Sequence, residues 1–223
     1  MPITVFPTSA ASSDRTTFGE LKQNLARAIN PDDETTLQIA GDAIVTTLKV
    51  YARFNWPWDV VSVDISVVSG TDLYSLPQKF KFSIACYELD SANRPKRRIG
   101  YIPYASFLES YQQNLDGTPV LYTVPNAFEA GQVLFYPRPT STFTAKLSYY
   151  RMGAFRFRDD TEPLGVPDYA DEPIRAWAWY EMLKKLGGAG NINRIPSARS
   201  DALAARAELV ALVNSRGDML GPA

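Results

Sequence analysis

Carboxylates are the side chains in this sequence best able to carry chemistry. One group occupies Asp32–Glu34, and a second comprises Asp168, Asp171 and Glu172. Paired carboxylates can hydrolyse glycosides without help from histidine. Both groups also stand where a predicted helix begins, and acids are favoured there by the helix dipole. We therefore interpret both groups as helix-capping residues, and we keep a histidine-free cell-wall hydrolase as an alternative function.

Histidine is missing from the 223 residues, and Cys86 is the single cysteine. A sequence without histidine lacks the commonest general base and the commonest metal ligand. One thiol can form neither an intrachain disulfide nor a cysteine-rich metal site. We therefore predict no catalytic, cofactor-binding or metal-binding residues, and we expect a protein that is not an enzyme and needs no cofactor.

A dense basic run, formed by Arg94, Lys96, Arg97 and Arg98, falls at a predicted hairpin turn. Such charges commonly protect an exposed strand edge, and the functional alternative is contact with a phosphate or a partner. The formal net charge of −1 gives no long-range field that would attract a polyanion. A nucleic-acid binder that works through charge is therefore disfavoured.

Tryptophan occurs in two close pairs. Trp56 and Trp58 flank a proline and predict packing at a junction between domains, with a sugar-binding platform as the alternative. That alternative corresponds to a carbohydrate-binding β module. Trp177 and Trp179 lie about 200° apart on a predicted helix, so one buried face cannot hold both. Trp177 continues the apolar stripe, and Trp179 is left as a candidate for contact with the β domain or a neighbouring subunit.

The elements that position these side chains change period twice along the chain. Apolar residues recur at three- and four-residue steps in 17–57 and 168–216, which predicts a helical domain. Between them, 58–158 holds short aromatic and β-branched runs separated by turn residues. We predict an α+β fold, in which an antiparallel bundle of four main helices carries an inserted antiparallel β-sandwich-like domain.

Local signals set the expected boundaries. Thr17 and Glu20 form a capping-box pattern, Asn30 is the predicted cap of the second helix, and Asp171 is the predicted cap of the third. From residue 61, apolar and polar residues alternate, which predicts a half-buried strand. The inward-facing residues of this strand are Val61, Val63, Ile65 and Val67.

The two ends, 1–16 and 217–223, have no apolar period and are predicted to be extended arms. They contain small apolar anchors that are candidates for an assembly interface, namely Val5, Phe6, Met219 and Leu220. The apolar runs are shorter than the roughly 20 residues that span a bilayer, and the N-terminus lacks a signal-peptide pattern. We expect a soluble protein that is not exported and does not contact a membrane.

Several motifs in the middle of the chain resemble, in their order and spacing, the head-to-tail adaptor family of tailed bacteriophages, including its tail tubular protein A group. They extend over roughly residues 17 to 187. The motifs are Trp56-Pro-Trp58, Leu73-Tyr-Ser-Leu-Pro77, Gly117-Thr-Pro-Val-Leu-Tyr122, Val133-Leu-Phe-Tyr-Pro-Arg-Pro139, the strand end Tyr149-Tyr150, and Val166-Pro-Asp-Tyr169 before the helix with Trp177.

The resemblance implies a structural protein of the virion neck or tail, which is present in the host cytoplasm during assembly. Its copies would form a ring, expected to be a dodecamer, between the portal protein and the tail nozzle protein. DNA would pass through the lumen of the ring without sequence-specific binding. The longer, less family-like ends prevent contacts of the arms from being carried over residue by residue.

Overall fold

The structure is a computed structural model that describes residues 16–111, 115–126, 131–152, 157 and 159–218. The predicted anchors Val5, Phe6, Met219 and Leu220 lie outside the described residues. Contacts divide the chain into two compact units. A helical unit comprises Met1–Phe54 and Gly153–Ala223, and a β unit comprises Asn55–Met152.

The helices and strands follow one another in this order. The α-helices are α1 (Phe18–Arg27), α2 (Glu34–Tyr51), α3 (Tyr104–Ser110), α4 (Asp171–Leu186), α5 (Ala189–Ile192) and α6 (Ile195–Asp218). The strands are β1 (Val60–Val67), β2 (Leu73–Ser75), β3 (Phe80–Leu89), β4 (Pro95–Tyr101), β5 (Asp116–Gly117), β6 (Leu121–Asn126), β7 (Gln132–Tyr136), β8 (Arg138–Pro139) and β9 (Phe143–Arg151). Short 3₁₀ helices occupy Pro57–Asp59 and Asp168–Ala170.

The helical unit is arranged around α4. This helix packs between α2 and α6, and α1 packs mainly on α2. Ile174, Met182 and Leu183 of α4 are fully buried, whereas the buried apolar residues of α6 are Ala198, Ala202 and Leu209. The helices α1, α2, α4 and α6 therefore pack in a row, each mainly against the next, and do not close into a bundle. The predicted four-helix bundle is wrong. Apolar spacing shows that a helix has a buried face, but it does not show how many helices share the core.

The N-terminal cap of α1 is the one predicted from the sequence, whereas the cap of α2 is a different residue. At α1 the capping box is confirmed, because the Thr17 hydroxyl accepts from the Glu20 amide at 3.2 Å and the Glu20 carboxylate accepts from the Thr17 amide at 2.8 Å. The cap of α2 is Asp33, which accepts from the Thr36 amide at 2.7 Å, so the prediction of Asn30 was wrong. Both residue types cap helices well, and spacing alone did not separate them.

The chain that returns to the helical unit lies against the first turn of α1. The carbonyl of Asp160 accepts from the Gly19 amide at 2.8 Å, and the Lys22 ammonium reaches the Asp160 carboxylate at 2.6 Å. The ring of Phe157 stacks on Phe18 with centroids 4.4 Å apart. A Cβ atom on Gly19 would stand 2.6 Å from the Asp160 Cβ and 2.7 Å from its carbonyl oxygen. This close approach therefore requires glycine.

The β unit contains one seven-stranded sheet with the strand order β1-β9-β3-β4-β6-β7-β2. Its pairs are antiparallel except for β4 and β6, which run parallel. A second, two-stranded parallel ladder joins β5 to β8. The sheet is therefore mixed and not purely antiparallel as the sequence had predicted.

The sheet curls around a single core. Phe135 on β7 and Phe143 on β9 are four strand steps apart, which is about 19 Å in a flat sheet. Their ring centroids are 6.4 Å apart, so the strands bend round to share one interior. The predicted β-sandwich is therefore wrong, because alternation shows only that a strand has two faces. The core residues are Ile65, Val67, Leu76, Phe80, Cys86, Ile99, Tyr122, Val133, Phe135, Ala145, Leu147 and Tyr149.

The alternation predicted for β1 is confirmed. Val63 pairs in register with Leu147, and Ile65 with Ala145, on the inward face. On the outward face the hydroxyls of Ser62 and Ser148 lie 2.9 Å apart, and the next outward pair, Asp64 and Lys146, is separated by 3.7 Å. The outward face of these two strands is therefore polar along most of its length.

A buried carboxylate immediately precedes β1 and gives a pH-dependent prediction. Asp59 is 8% exposed, its nearest ion-pair contact is Arg151 at 4.0 Å, and burial raises its pKa to about 6 against the opposing charges of Arg151 and Lys81. The folded state therefore holds a proton that the unfolded state releases near pH 4. The free energy of unfolding should fall as pH rises from about 4 to about 6.

Asp59→Asn should raise the free energy of unfolding at pH 7 by about 1–2 kcal/mol, because it removes a desolvated charge. Urea titrations at pH 4.5 and pH 7 check this, and the gain should be smaller at the lower pH. Asp64→Asn, on the exposed outward face, serves as the matched control and should change little at either pH. A loss of stability in the Asp59 variant at pH 7 would contradict the prediction.

Candidate functional site

The carboxylates at the start of α4 are engaged with nearby side chains of the protein. Asp171 is the first residue of α4 and accepts a hydrogen bond from the Thr16 hydroxyl, while Glu172 pairs with Arg175. The cap position belongs to Ala170, which makes no side-chain cap, so the cap prediction for Asp171 was wrong. Burial raises the pKa of Asp171, and the charge of Asp168 adds to this effect.

Possible metal ligands and the thiol of Cys86 were the other candidates for chemistry. Within these residues, no group of three or more histidine, cysteine, aspartate or glutamate side chains could hold a metal ion. Cys86 is buried, and burial raises the pKa of its thiol to about 12. This thiol is therefore protonated and inaccessible at neutral pH.

The basic run lies where predicted, at the hairpin between β3 and β4. Glu88 binds Lys96 at 2.7 Å and Arg97 at 2.8 Å, and Asp90 binds Arg94 at 2.9 Å. The hairpin therefore supplies its own carboxylates to three of its four cations. Arg98 is exposed and pairs across the sheet with Tyr87; in the described part of the chain it has no ion pair.

Glu88 is 8% exposed, so its two ion pairs carry a stability prediction. Burial alone would raise the pKa of Glu88, but hydrogen bonds and charges from Lys96 and Arg97 outweigh burial and hold it below the usual value. The stabilisation is therefore present above the unfolded pKa of about 4.3 and is lost as pH falls through the lower folded pKa.

Glu88→Gln should lower the free energy of unfolding at pH 7 by about 1–3 kcal/mol, since it leaves Arg97 partly buried without its charge partner. The difference from the parent protein should shrink as pH falls and Glu88 takes up a proton. Thermal denaturation at pH 7 and pH 3 measures both effects. Asp116→Asn, which breaks an exposed pair with Arg138, is the control, and an equal loss in both variants would refute the argument from burial.

Trp177 and Trp179 face different partners on α4. Trp177 meets Tyr51 edge-on at 6.4 Å, and the Arg206 guanidinium lies 5.8 Å from its ring. Trp179 is covered by the Arg194 guanidinium at 4.8 Å. Both rings are half-buried. Trp179 thus lies under a long, polar side chain and away from the contact between Trp177 and α2.

An aromatic cavity of about 210 Å³ opens on the β unit. It has a floor of Phe107, which is 2% exposed, and a rim with one carboxylate and one guanidinium. Its lining residues are Asp72, Tyr104, Phe107, Leu115, Leu134, Tyr136 and Arg138. The rings of Trp56 and Trp58, by contrast, stack on each other at 4.6 Å, and Trp56 is 5% exposed. Their stacked faces are therefore not available as a sugar platform.

An apolar row crosses the outward face of the sheet. Val60 on β1, Tyr150 on β9 and Phe82 on β3 are consecutive partners in the strand register. Phe82 is 50% exposed and Val60 is 41% exposed, and the Tyr101 ring lies 6.3 Å from that of Phe82. Tyr101 itself is in register with Tyr122 of the core and belongs to the other face. We call Val60, Tyr150 and Phe82 the sheet row. It contrasts with the polar remainder of the outward face on β1 and β9, and the sequence reasoning did not find it.

A second exposed apolar feature runs along α6. Its residues follow the alternating three- and four-residue spacing of a coiled-coil seam. Leu203 is 47% exposed and Val210 is 38% exposed. We call this set the outer seam: Ser200, Leu203, Ala207, Val210 and Asn214. The spacing is present in the sequence, but spacing alone does not show which of the two apolar sides of the helix stays exposed.

Comparison with known proteins assigns the chain to a family. No curated protein matches the chain significantly. Among the described residues, no helix is both long and apolar enough to cross a bilayer. A family profile described as SU10 adaptor protein matches residues 16–222, which confirms the resemblance to head-to-tail adaptors. The chain therefore belongs to the SU10 adaptor protein family, a family of structural adaptors in the neck of the phage virion.

Proposed function

We propose that this protein forms a ring, expected to be a dodecamer, between the portal protein and the tail nozzle protein. The observation that carries the proposal is the family match over residues 16–222. An adaptor must present surfaces to several partners at once, and the outer seam and the sheet row are exposed apolar surfaces of this kind. Assembly would take place in the host cytoplasm.

We further infer that DNA passes through the lumen without sequence-specific binding and that the protein works without catalysis. The net charge of −1 and the internal pairing of the basic hairpin leave little positive charge to neutralise phosphates. A weakly charged wall would let DNA slide during ejection. Arg94, Lys96 and Arg97 are then structural, and Arg98 is left for contact with a partner protein.

The proposal is tested by binding to portal-containing heads. Heads that carry the portal but no adaptor are mixed with the purified protein and then sedimented. The protein should sediment with these heads and not with heads that lack the portal. Equal recovery from both preparations would contradict portal recognition.

Trp179 is the proposed assembly contact in the helical unit. Trp179→Ala should reduce recovery with portal-containing heads several-fold and should leave thermal stability nearly unchanged. Trp177→Ala, the matched control, removes packing against Tyr51 and should lower the free energy of unfolding by about 2–4 kcal/mol. If Trp179→Ala binds heads as the parent protein does, Trp179 is not an assembly contact.

The two ends of the chain are proposed to recognise the portal or a neighbouring copy through Val5, Phe6, Met219 and Leu220. Weak contacts repeated around a ring gain strength through avidity. Replacing Val5 and Phe6 by Ser, or Met219 and Leu220 by Ser, should leave the melting temperature unchanged and reduce recovery with heads. Normal recovery of both variants would show that these anchors are dispensable.

The aromatic cavity favours one second candidate, a carbohydrate-binding β module. Aromatic faces combined with a carboxylate and a guanidinium are suited to a sugar ring. A soluble oligosaccharide should then shift the NMR signals of Leu115 and Leu134, and Tyr104→Ala should abolish the shift. Unchanged signals at saturating sugar would remove this candidate.

A further inference from the structure

We propose that residues 3–6 of one copy add a strand to the free edge of β1 in a neighbouring copy, the edge that faces away from β9. The inference rests on the proposed ring and names one contact between its subunits. Addition of an extended segment to an exposed sheet edge is a common mode of recognition. Backbone hydrogen bonds supply the affinity, and alternate side chains supply the specificity.

Strand β1 is an edge strand that lacks the usual protection. In the described part of the chain it pairs with β9 on one side and with no strand on the other. Its eight residues pair with β9 without a bulge, and they include neither proline nor lysine. Protein sheets normally blunt their edges with such residues, with bulges or with very short strands. The backbone groups on the free edge are therefore a ready template for another strand.

The opposite edge of the sheet offers much less backbone. It is formed by β2, which has three residues. The hydroxyl of Tyr74 on this strand accepts from the Val68 amide at 2.8 Å and donates to the Thr71 carbonyl at 2.8 Å. This side chain thus covers the backbone that immediately follows β1. The part of β1 open to a new strand is therefore the half that begins at Val60.

Burial along the inward face of β1 shows where the core is incompletely covered. Ile65 is 9% exposed and Val67 is fully buried. Val61 and Val63 pack against the same core, but they are only partly buried. An added strand with apolar residues at alternate positions would cover these two valines. The area that it removes from water would favour its addition.

The residues that precede Thr16 contain a strand pattern of suitable length. Residues 3–6 read Ile-Thr-Val-Phe, and all four residue types are enriched in strands. Pro2 and Pro7 flank this run and confine the pairing to four residues. Residues 8–15 link the run to Thr16 and span about 26–29 Å when extended, close to the diameter of a small domain. The link is therefore long enough to reach a second copy.

An antiparallel register brings similar side chains together on both faces of the sheet. Two apolar residues of the run then lie beside the partly buried valines on the inward face. The other two residues lie on the outward face, one beside the sheet row and one beside the hydroxyl pair that follows it. Directly opposed side chains are the units that stabilise a sheet. The four pairs are Phe6 with Val60, Val5 with Val61, Thr4 with Ser62, and Ile3 with Val63.

The outward face distinguishes this register from a parallel one. Val60 is 41% exposed at one end of the sheet row, and Phe6 would cover it. Ser62 already lies 2.9 Å from a hydroxyl of β9, and Thr4 would add a third hydroxyl to this pair. A parallel strand with the same inward residues would instead place Phe6 opposite the charged Asp64. The antiparallel register is therefore the favoured one.

A second copy donates the strand because the two parts of the contact are unlike. A contact between different parts of identical chains repeats from copy to copy and closes into a ring when the rotation permits. Each copy then donates one strand and accepts one. Pairing of two β1 edges with each other would instead give a twofold dimer and would leave residues 3–6 unused. Strand donation is thus the contact that agrees with a ring between portal and nozzle.

Cysteine cross-linking tests the contact in the assembled state. Thr4→Cys and Ser62→Cys are prepared as separate variants, and Cys86 is buried. Their mixture is bound to portal-containing heads and treated with a thiol cross-linker of about 5 Å, the distance between directly opposed side chains. We expect a covalent dimer in several-fold excess over either variant alone. Ser66→Cys, exposed on the same strand but about 13 Å from Ser62, replaces Ser62→Cys as the matched control and should give no dimer.

A chain that carries both cysteines shows which copy donates the strand. The double variant Thr4→Cys and Ser62→Cys is diluted into an excess of the parent protein before it is bound to the heads. The cross-link should then be lost, because the neighbours of the double variant carry no added cysteine. A cross-link that survives dilution forms within one chain and overturns donation between copies.

Charge placement provides a second measurement that needs no cross-link. Thr4→Lys together with Ser62→Lys puts like charges opposite each other at every contact, and it should reduce recovery with heads several-fold. Thr4→Lys together with Ser62→Glu should restore recovery. Head binding without the cross-linked dimer and without this charge dependence overturns the contact and leaves the proposed function standing. If the parent protein does not bind the heads, the proposed function is contradicted and the contact with it.

Discussion

Phe135→Ala should lower the free energy of unfolding of the β unit by about 3–5 kcal/mol, because it empties a large volume at the centre of the core. Phe135 is fully buried, and its ring contacts Tyr74 at 5.7 Å, Phe143 at 6.4 Å and Tyr122 at 6.5 Å. These rings come from four strands, β9, β6, β7 and β2, and β9 is four strand steps from β7 in the sheet. Removing Phe135 should therefore loosen the curled sheet as a whole.

Urea unfolding followed by near-ultraviolet circular dichroism measures this effect. Phe82→Ala removes the same ring from the exposed sheet row and is the matched control, with an expected change below about 1 kcal/mol. Losses of similar size in the two variants would show that Phe135 is not at the centre of the core. The single-core description of the sheet would then be wrong.

Gly19→Ala should lower the free energy of unfolding by about 1–3 kcal/mol, although alanine is the better helix former. The added Cβ would meet the Asp160 Cβ at 2.6 Å and its carbonyl oxygen at 2.7 Å. The returning segment is held there by two amides of α1, since Gly19 donates to the Asp160 carbonyl and Phe18 to the Glu162 carbonyl. The returning segment would have to move away from α1. The hydrogen bonds of both amides would weaken with it.

Gly190→Ala is the control for this prediction, because an added Cβ at that position meets no atom within 4 Å. It should be neutral or slightly stabilising. Thermal denaturation of both variants gives the comparison. A Gly19 variant as stable as the Gly190 variant would mean that the returning segment does not hold the start of α1.

Local structure was predictable where a short pattern has one physical solution. The capping box at Thr17 and the alternation from Val61 to Val67 are examples, because both depend on neighbours along the chain. The cap of α2 was not predictable in this way, since the side chain of either Asn30 or Asp33 can accept a hydrogen bond from an amide of the first turn. The parallel pairing of β4 with β6 depends on partners distant in sequence, and no pattern within either strand encodes it.

The prediction of the larger architecture was wrong for the same reason, because architecture depends on partners that are distant in sequence. Val63 and Leu147 would be buried in a sandwich as well as in a curled sheet, since both folds bury one face of each strand. Their alternation therefore does not distinguish the two folds. Helix α6 does bury Ala198, Ala202 and Leu209, but closure into a bundle needs a neighbouring helix that an apolar stripe does not specify. Family-level motifs identified the adaptor class, while exposure at Leu203 and Phe82 emerged only from the fold.

The most direct test of the account is a cryo-electron-microscopy reconstruction of portal-containing heads after addition of the purified protein. The account predicts a closed ring of this chain attached to the portal, with the nozzle-facing side free and an open lumen wide enough for duplex DNA. Single copies scattered over the head, or a plug that closes the portal channel, would contradict it.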